Sequence, residues 1–183
     1  MFTVTVTSKN NINIDSVMRK LGWTSFNGEY SRVLDYGKKL ITMKLDAEND
    51  RTLIGEFAQN LSMKEYKAIN GWLKEILLAL DGMVNDENSK LGYLADGSPA
   101  CILTNWEKWD TFLIKARLRS LEGKKVMALD PSGEMLIEGL LVEYSSSVDE
   151  KDGSLSISSC TVITLFGERT VNGEGLAIEA VYE

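Results

Sequence analysis

The chain predicts an α+β fold: an N-terminal mixed α/β meander with a core helix, then a C-terminal helix plus about five antiparallel strands forming a barrel or sandwich. Three observations lead there. Two capping boxes, Ser62 with Glu65 and Thr104 with Glu107, each open an apolar run of helical period. Alternating apolar and polar runs, punctuated by Asn-Gly, Asp-Gly and Ser-Gly turns, fill most of the rest. Hydrophobic residues make up 44% of the 183 residues and charged residues 26%, enough to bury a core without staples.

In order, residues 2–7 alternate as a first strand. Asn13 caps a short helix in which Ile14, Val17, Met18 and Leu21 share a face, and Gly22 stops it. The runs 23–26 and 29–33 flank Asn27-Gly28, a pair that tolerates the two positive φ angles of a type I′ hairpin, and Trp23 and Phe26 beside this turn are expected to pack across the strands rather than to stack a base or grip a partner. Tyr36-Gly37-Lys38 turns the chain into a third strand at 40–45. Asp46-Ala47-Glu48-Asn49-Asp50 reads as a polar loop, and Leu53, Ile54 and Phe57 as a short helix that Gly55 weakens. The helix opened by Ser62 carries Tyr66, Ile69, Leu73, Ile76, Leu77 and Leu80 on one stripe and ends at Asp81-Gly82.

Residues 84–90 read as a polar link, which divides the chain into an α+β domain over 1–90 and a helix plus small β domain over 91–183, able to pack as one. A small hairpin over 91–95 and 100–103 turns at Asp96-Gly97. The helix opened by Thr104 carries Trp106, Trp109, Leu113 and Ala116 on one side and closes at Gly123. The remainder is β, with strands at 126–130, 135–144, 155–166 and 176–181 and turns at 131–133, 149–153 and Asn172-Gly173. Gly139 marks a bend or bulge inside the second of these strands.

Leu121-Glu122-Gly123-Lys124-Lys125-Val126, the Ser132-Gly133 turn and Ile137-Glu138-Gly139-Leu140-Leu141 give residues 105–183 a resemblance to small β-barrels of the Sm-like or SH3-like type. The resemblance implies a barrel. It does not bring RNA binding with it, because Sm-like proteins that bind RNA usually carry Asn or a basic residue near the ends of the third and fifth strands. This chain reads Ser158-Ser159-Cys160-Thr161 and Asn172-Gly173-Glu174-Gly175 there. Residues 1–104 resemble no family.

For chemistry the chain is sparse. It contains no histidine, and its two cysteines, Cys101 and Cys160, sit in apolar strand-like runs that predict buried, inert thiols. The sequence lacks G-x-S-x-G, a P-loop, G-x-G-x-x-G and C-x-x-C. Asp46, Glu48 and Asp50 have a calcium-loop rhythm, but Arg51 stands where such a loop needs Gly and Phe57 where it needs Glu. No cofactor and no metal are expected. The chain has no apolar run long enough for a membrane span and starts on a strand rather than a leader, so a reducing, cytoplasmic setting is expected.

Charge is the remaining lead. Of the net −7, residues 121–183 hold 12 acids and 4 bases, whereas residues 1–120 hold 15 acids and 16 bases. An acidic C-terminal third serves solubility, and it also repels a phosphate backbone while attracting a basic partner. The expectation is a non-enzymatic protein-binding module, an adaptor, accessory or inhibitor of the kind phages and mobile elements encode. Its expected surface is Glu138, Glu143 and Glu179, with Trp72, off the main stripe of its helix, as a second contact. Its expected partner is a basic or nucleic-acid-binding protein, and its edge strands offer a route to a homodimer. The alternative is nucleic-acid binding through Lys115, Arg117, Arg119, Lys124 and Lys125, a cluster that also complements a helix dipole. A second alternative is a carboxylate- and metal-dependent enzyme.

Overall fold

Antiparallel pairing builds both parts of the chain, as α+β: the computed structural model describes residues 1–34, 39–149 and 155–181, with three helices and thirteen strands among them. The turns read at Tyr36-Gly37-Lys38 and across 150–153 lie outside the described residues. The chain divides into two compact units, Met1–Trp106 and Glu107–Glu183, so residues 91–106 belong with the first.

In the first unit, β1 (Phe2–Ser8) buries Phe2, Val4, Val6 and Ser8 and turns Thr3, Thr5 and Thr7 to the other face, as the two-residue period requires. It lies inside a six-stranded sheet of order β2-β3-β4-β5-β1-β6. The other strands are β2 (Thr24–Phe26), β3 (Glu29–Val33), β4 (Leu40–Leu45), β5 (Thr52–Phe57) and β6 (Gly82–Asn85). Asn27 and Gly28 take φ of 48° and 76°, the two positive angles expected of the β2–β3 turn. Two helices pack with this sheet. α1 (Ile14–Lys20) is capped by Asn13, whose Oδ1 accepts the Ser16 N–H at 2.9 Å. α2 (Met63–Ala79) opens with the full Ser62/Glu65 capping box and buries Tyr66, Ile69, Leu73 and Ile76, packing on β1 and β6.

The structure corrects three local readings. Residues 52–57 are not a helix but the strand β5, paired on both sides with β1 and β4. Gly55, which weakened the helix, is buried with the Met43 side chain against it, so burial between two strands decides where propensity could not. Phe26, expected to pack across the hairpin with Trp23, is 75% exposed while Trp23 is buried. The polar link at 84–90 begins with the end of β6 and continues into a buried hydrogen-bond hub.

Asp86 and Ser89 form that hub, beside the hairpin of β7 (Lys90–Tyr93) and β8 (Pro99–Cys101). Asp86 Oδ2 accepts the Leu103 N–H at 2.8 Å and the Thr104 N–H at 2.7 Å, and its Oδ1 accepts the Thr104 hydroxyl at 2.7 Å. Ser89 Oγ accepts the Ile102 N–H at 3.1 Å and donates to the Asp86 carbonyl at 2.7 Å. Asn70 of α2 donates to the Ile102 carbonyl at 2.6 Å. The Thr104 hydroxyl expected to cap the next helix is thus directed to Asp86, and α3 (Trp106–Leu121) starts after Asn105, whose φ is 60°.

Glu65 is a second buried carboxylate that sequence reading treated only as a cap. Its Oε2 accepts the Ser62 N–H at 2.6 Å, and Lys39 Nζ lies 3.0 Å from Oε1. The Ser62 amide first, and then Lys39, hold its carboxyl below the usual glutamate value. A depressed folded value contributes stability that is present above the unfolded pKa and lost as the pH falls through the folded one. Acid titration of stability is therefore expected to be shallower in Glu65→Gln than in the parent below the ordinary glutamate pKa. Parallel slopes in urea titrations at stepped pH would refute this.

In the second unit, α3 leads into a five-stranded sheet of order β12-β11-β10-β9-β13. Its strands are β9 (Lys125–Leu129), β10 (Met135–Val148), β11 (Leu155–Thr164), β12 (Gly167–Asn172) and β13 (Ala177–Ala180). Among the described residues β12 and β13 are its two edges, so in hydrogen bonding it is an open sheet. Its inner face packs Val126, Ala128, Leu141, Cys160, Val162 and Ile178 with Leu118 and Leu121 of α3. The face of α3 that serves this core is Ile114, Leu118 and Leu121, spaced by four and three. The expected Leu113 is half-buried and Ala116 is exposed.

Candidate protein interface on the C-terminal sheet

The outer face of this sheet follows from its register. Val126, Ala128, Leu141, Cys160 and Val162 point into the core, so residues one position away point out. Glu179 pairs with Met127, and Met127 with Glu138, which puts two of the three expected acids in one row. The third, Glu143, lies opposite Thr161, next to Cys160 and Val162 but of opposite parity. A register shift between Leu141 and Glu143 leaves Leu141 buried and both Val142 and Glu143 exposed. This bulge is what keeps Glu143 on the outer face. Glu138 is not bare, since Lys125 Nζ lies 2.8 Å from its Oε1.

Sequence reading missed the apolar half of the same face. Lys125, Leu140, Ile163 and Glu168 align across β9, β10, β11 and β12. Leu140, Val142 and Ile163 are about half exposed. Leu165 and Phe166, read as the end of a strand, instead form the two-residue tip between Thr164 and Gly167, and they are 100% and 85% exposed. Gly167 supplies the positive φ of 96° that this turn needs. The Thr164 hydroxyl accepts the Phe166 N–H at 3.1 Å and donates to the Gly167 carbonyl at 2.9 Å, fixing the tip. Beside it, where the pairing of β10 and β11 ends, lies a groove of about 820 Å³, lined by Leu140, Ile163, Leu165 and Phe166 with Lys125 and Glu138 of the outer face, and by Ile137 and Arg169, whose strand partners Ala128 and Val162 face the core. The sequence signal was the unbroken Leu140-Leu141-Val142 run, which leaves an apolar side chain on both faces of one strand.

The other expected site residues are dispersed. Lys115 and Arg119 lie one turn apart on α3, whereas Arg117 lines a small pocket with Leu118, Ile157 and Ile178. Lys124 is exposed between α3 and β9, and Lys125 is bound to Glu138. The five bases therefore do not make one continuous patch. Trp72 is half-buried in a stack: its ring meets Trp23 edge-on at 5.7 Å between centroids, and the Arg32 guanidinium sits 4.4 Å over it. Arg32 in turn donates to the Leu21 carbonyl at 3.1 Å, so Trp72 is a structural member of the first unit rather than an open second contact.

Cys101 and Cys160 are buried free thiols, and burial pushes both above the usual thiol value, which keeps them protonated and unreactive at neutral pH. Among the described residues no three Cys, Asp or Glu side chains converge as a metal site, and no helix is long and apolar enough to cross a membrane. No family model, curated protein or solved structure matches the chain.

Proposed function

We propose that this chain is a non-enzymatic protein-binding module, an adaptor, accessory or inhibitor that engages a basic or nucleic-acid-binding protein through the outer face of its C-terminal sheet. One observation carries the reading: Glu179, Glu138 and Glu143 share a face with the exposed apolar residues Leu140 and Val142. Apolar area supplies affinity, and the acids supply steering and partner choice. A reducing cytoplasm suits the two buried free thiols. The nucleic-acid alternative has less support, since Lys125 is paired with Glu138 and Arg117 lies apart from Lys115 and Arg119.

The test is affinity capture with the full chain and with Glu138→Lys/Glu143→Lys/Glu179→Lys, with and without nuclease. A partner retained after nuclease, released by high salt and lost from the triple variant is the expected result. Equal recovery by parent and variant, with the same salt dependence, would remove the acidic-face reading.

A further inference from the structure

We infer that the groove beside the Leu165–Phe166 tip is filled by a second copy of this chain, making a two-fold dimer. This rests on reading the outer sheet face as an interaction surface. A protruding apolar tip and an apolar groove lie side by side on one chain. Leu165 and Phe166 stand clear of their own unit, and Ile137, Leu140 and Ile163 line the groove beside them. A two-fold operator brings the tip of each copy to the groove of the other, so one patch serves as both halves of the interface. An exposed Leu-Phe pair at a turn gains nothing from folding, and burying it against a partner recovers the apolar transfer energy.

Charge selects the occupant. Lys125, Arg169 and Glu138 line the groove, and a second acid, Glu168, follows next to it as the strand partner of Ile163. A surface that carries both signs in equal number complements itself. Within the groove a strongly basic or strongly acidic ligand would leave half of these charges opposed, whereas the exposed Glu143 and Glu179 lie outside the groove and remain for a basic partner. An anionic bilayer is a poor occupant for the same reason, and because residues 107–183 hold 14 acids against 8 bases.

The backbone at the groove adds a further reason. Leu141 donates to the Lys124 carbonyl at 2.9 Å, and its own carbonyl accepts the Gly123 N–H at 2.8 Å. Strand alternation therefore turns the N–H and C=O of Glu138 toward the β11 side. There the pairing of β10 with β11 ends at Leu140 and Ile163. Among the described residues no ladder partner continues past that pair, so this stretch of β10 borders the groove as an open edge. Two such edges related by a two-fold axis run antiparallel and can pair.

The experiment is sedimentation velocity on the full chain at loading concentrations up to about 100 μM, where an interface of micromolar Kd is populated. The parent is expected to move from the mass of one chain toward that of two. Phe166→Ser and Leu140→Ser are each expected to weaken the dimer at least tenfold, and Phe166→Ser to leave the thermal melt of the monomer unchanged because the side chain is exposed. A parent that stays monomeric over the whole range overturns the proposal, as does a dimer that both variants leave intact. Glu143→Lys/Glu179→Lys, away from the groove, separates the two readings. If that variant dimerises like the parent but captures no partner, both stand. If the parent never dimerises while capture still depends on these acids, the dimer alone falls.

Discussion

Asp86→Ala is expected to destabilise the Met1–Trp106 unit by about 3 kcal/mol, because it strips an acceptor from the Leu103 and Thr104 amides and from the Thr104 hydroxyl together. These donors lie in the turn after β8, where Cys101 N–H also bonds to the Thr104 carbonyl at 2.8 Å. Without the carboxylate the turn has to open to water or fold back with unpaired donors, and either route loosens the Asn70 and Ser89 bonds to Ile102. Urea unfolding reads the total loss. The buried Cys101 thiol gives a local reading, since its labelling by a thiol reagent, resolved by peptide mass spectrometry, should accelerate as the turn opens. Asp86→Asn keeps one carbonyl oxygen and should fall between Asp86→Ala and the parent. Labelling of Cys101 at the parental rate in Asp86→Ala would show that the hub contributes little.

The second large effect is expected at Gly139. A Cβ there would sit 2.5 Å from the Ile163 carbonyl oxygen, 3.0 Å from its carbon and 3.1 Å from the Val162 Cβ. The obstacle is backbone, which cannot rotate aside as a side chain can. Gly139 does not take a positive φ, so the demand for glycine here is close approach rather than a left-handed turn. Gly139→Val should therefore cost about 3 kcal/mol or more and force β10 and β11 apart, beginning at the Leu140–Ile163 pair. Here Cys160 reports, being buried in the core of the second unit beside Val162. Gly139→Ala adds only the Cβ and should give a smaller loss of the same kind. A Gly139→Val protein with parental stability and parental Cys160 protection would contradict the close approach.

Gly139 also shows how far local reading reaches. Its position inside an apolar run marked a bend, and the strand does run past a register shift on either side of it. The same reading took Leu155 to Phe166 as one strand, because nothing local distinguishes an apolar residue in a ladder from one in a two-residue turn. The Gly167 φ that makes the turn is visible only in three dimensions. For Glu138, Glu143 and Glu179 the sequence supplied candidates by charge alone. That they share a face depends on the β13–β9–β10 register and on the bulge at Val142.

Local chemistry by itself determined the α+β class, the Asn13 and Ser62 caps, the Asn27-Gly28 turn and the alternating cores of β1 and β13, because each needs only residues within one turn or one strand. Tertiary structure decided the rest. Residues 52–57 became a central strand because partners lie on both sides, and Asp86 became a hub because residues 103 and 104 return to it. The groove at Leu165 and Phe166 is open because, among the described residues, the pairing of β10 with β11 stops at Leu140 and Ile163 and the tip stays exposed. Whether an apolar side chain is core or interface depends on what covers it, and a covering element can come from anywhere in the chain or from another molecule.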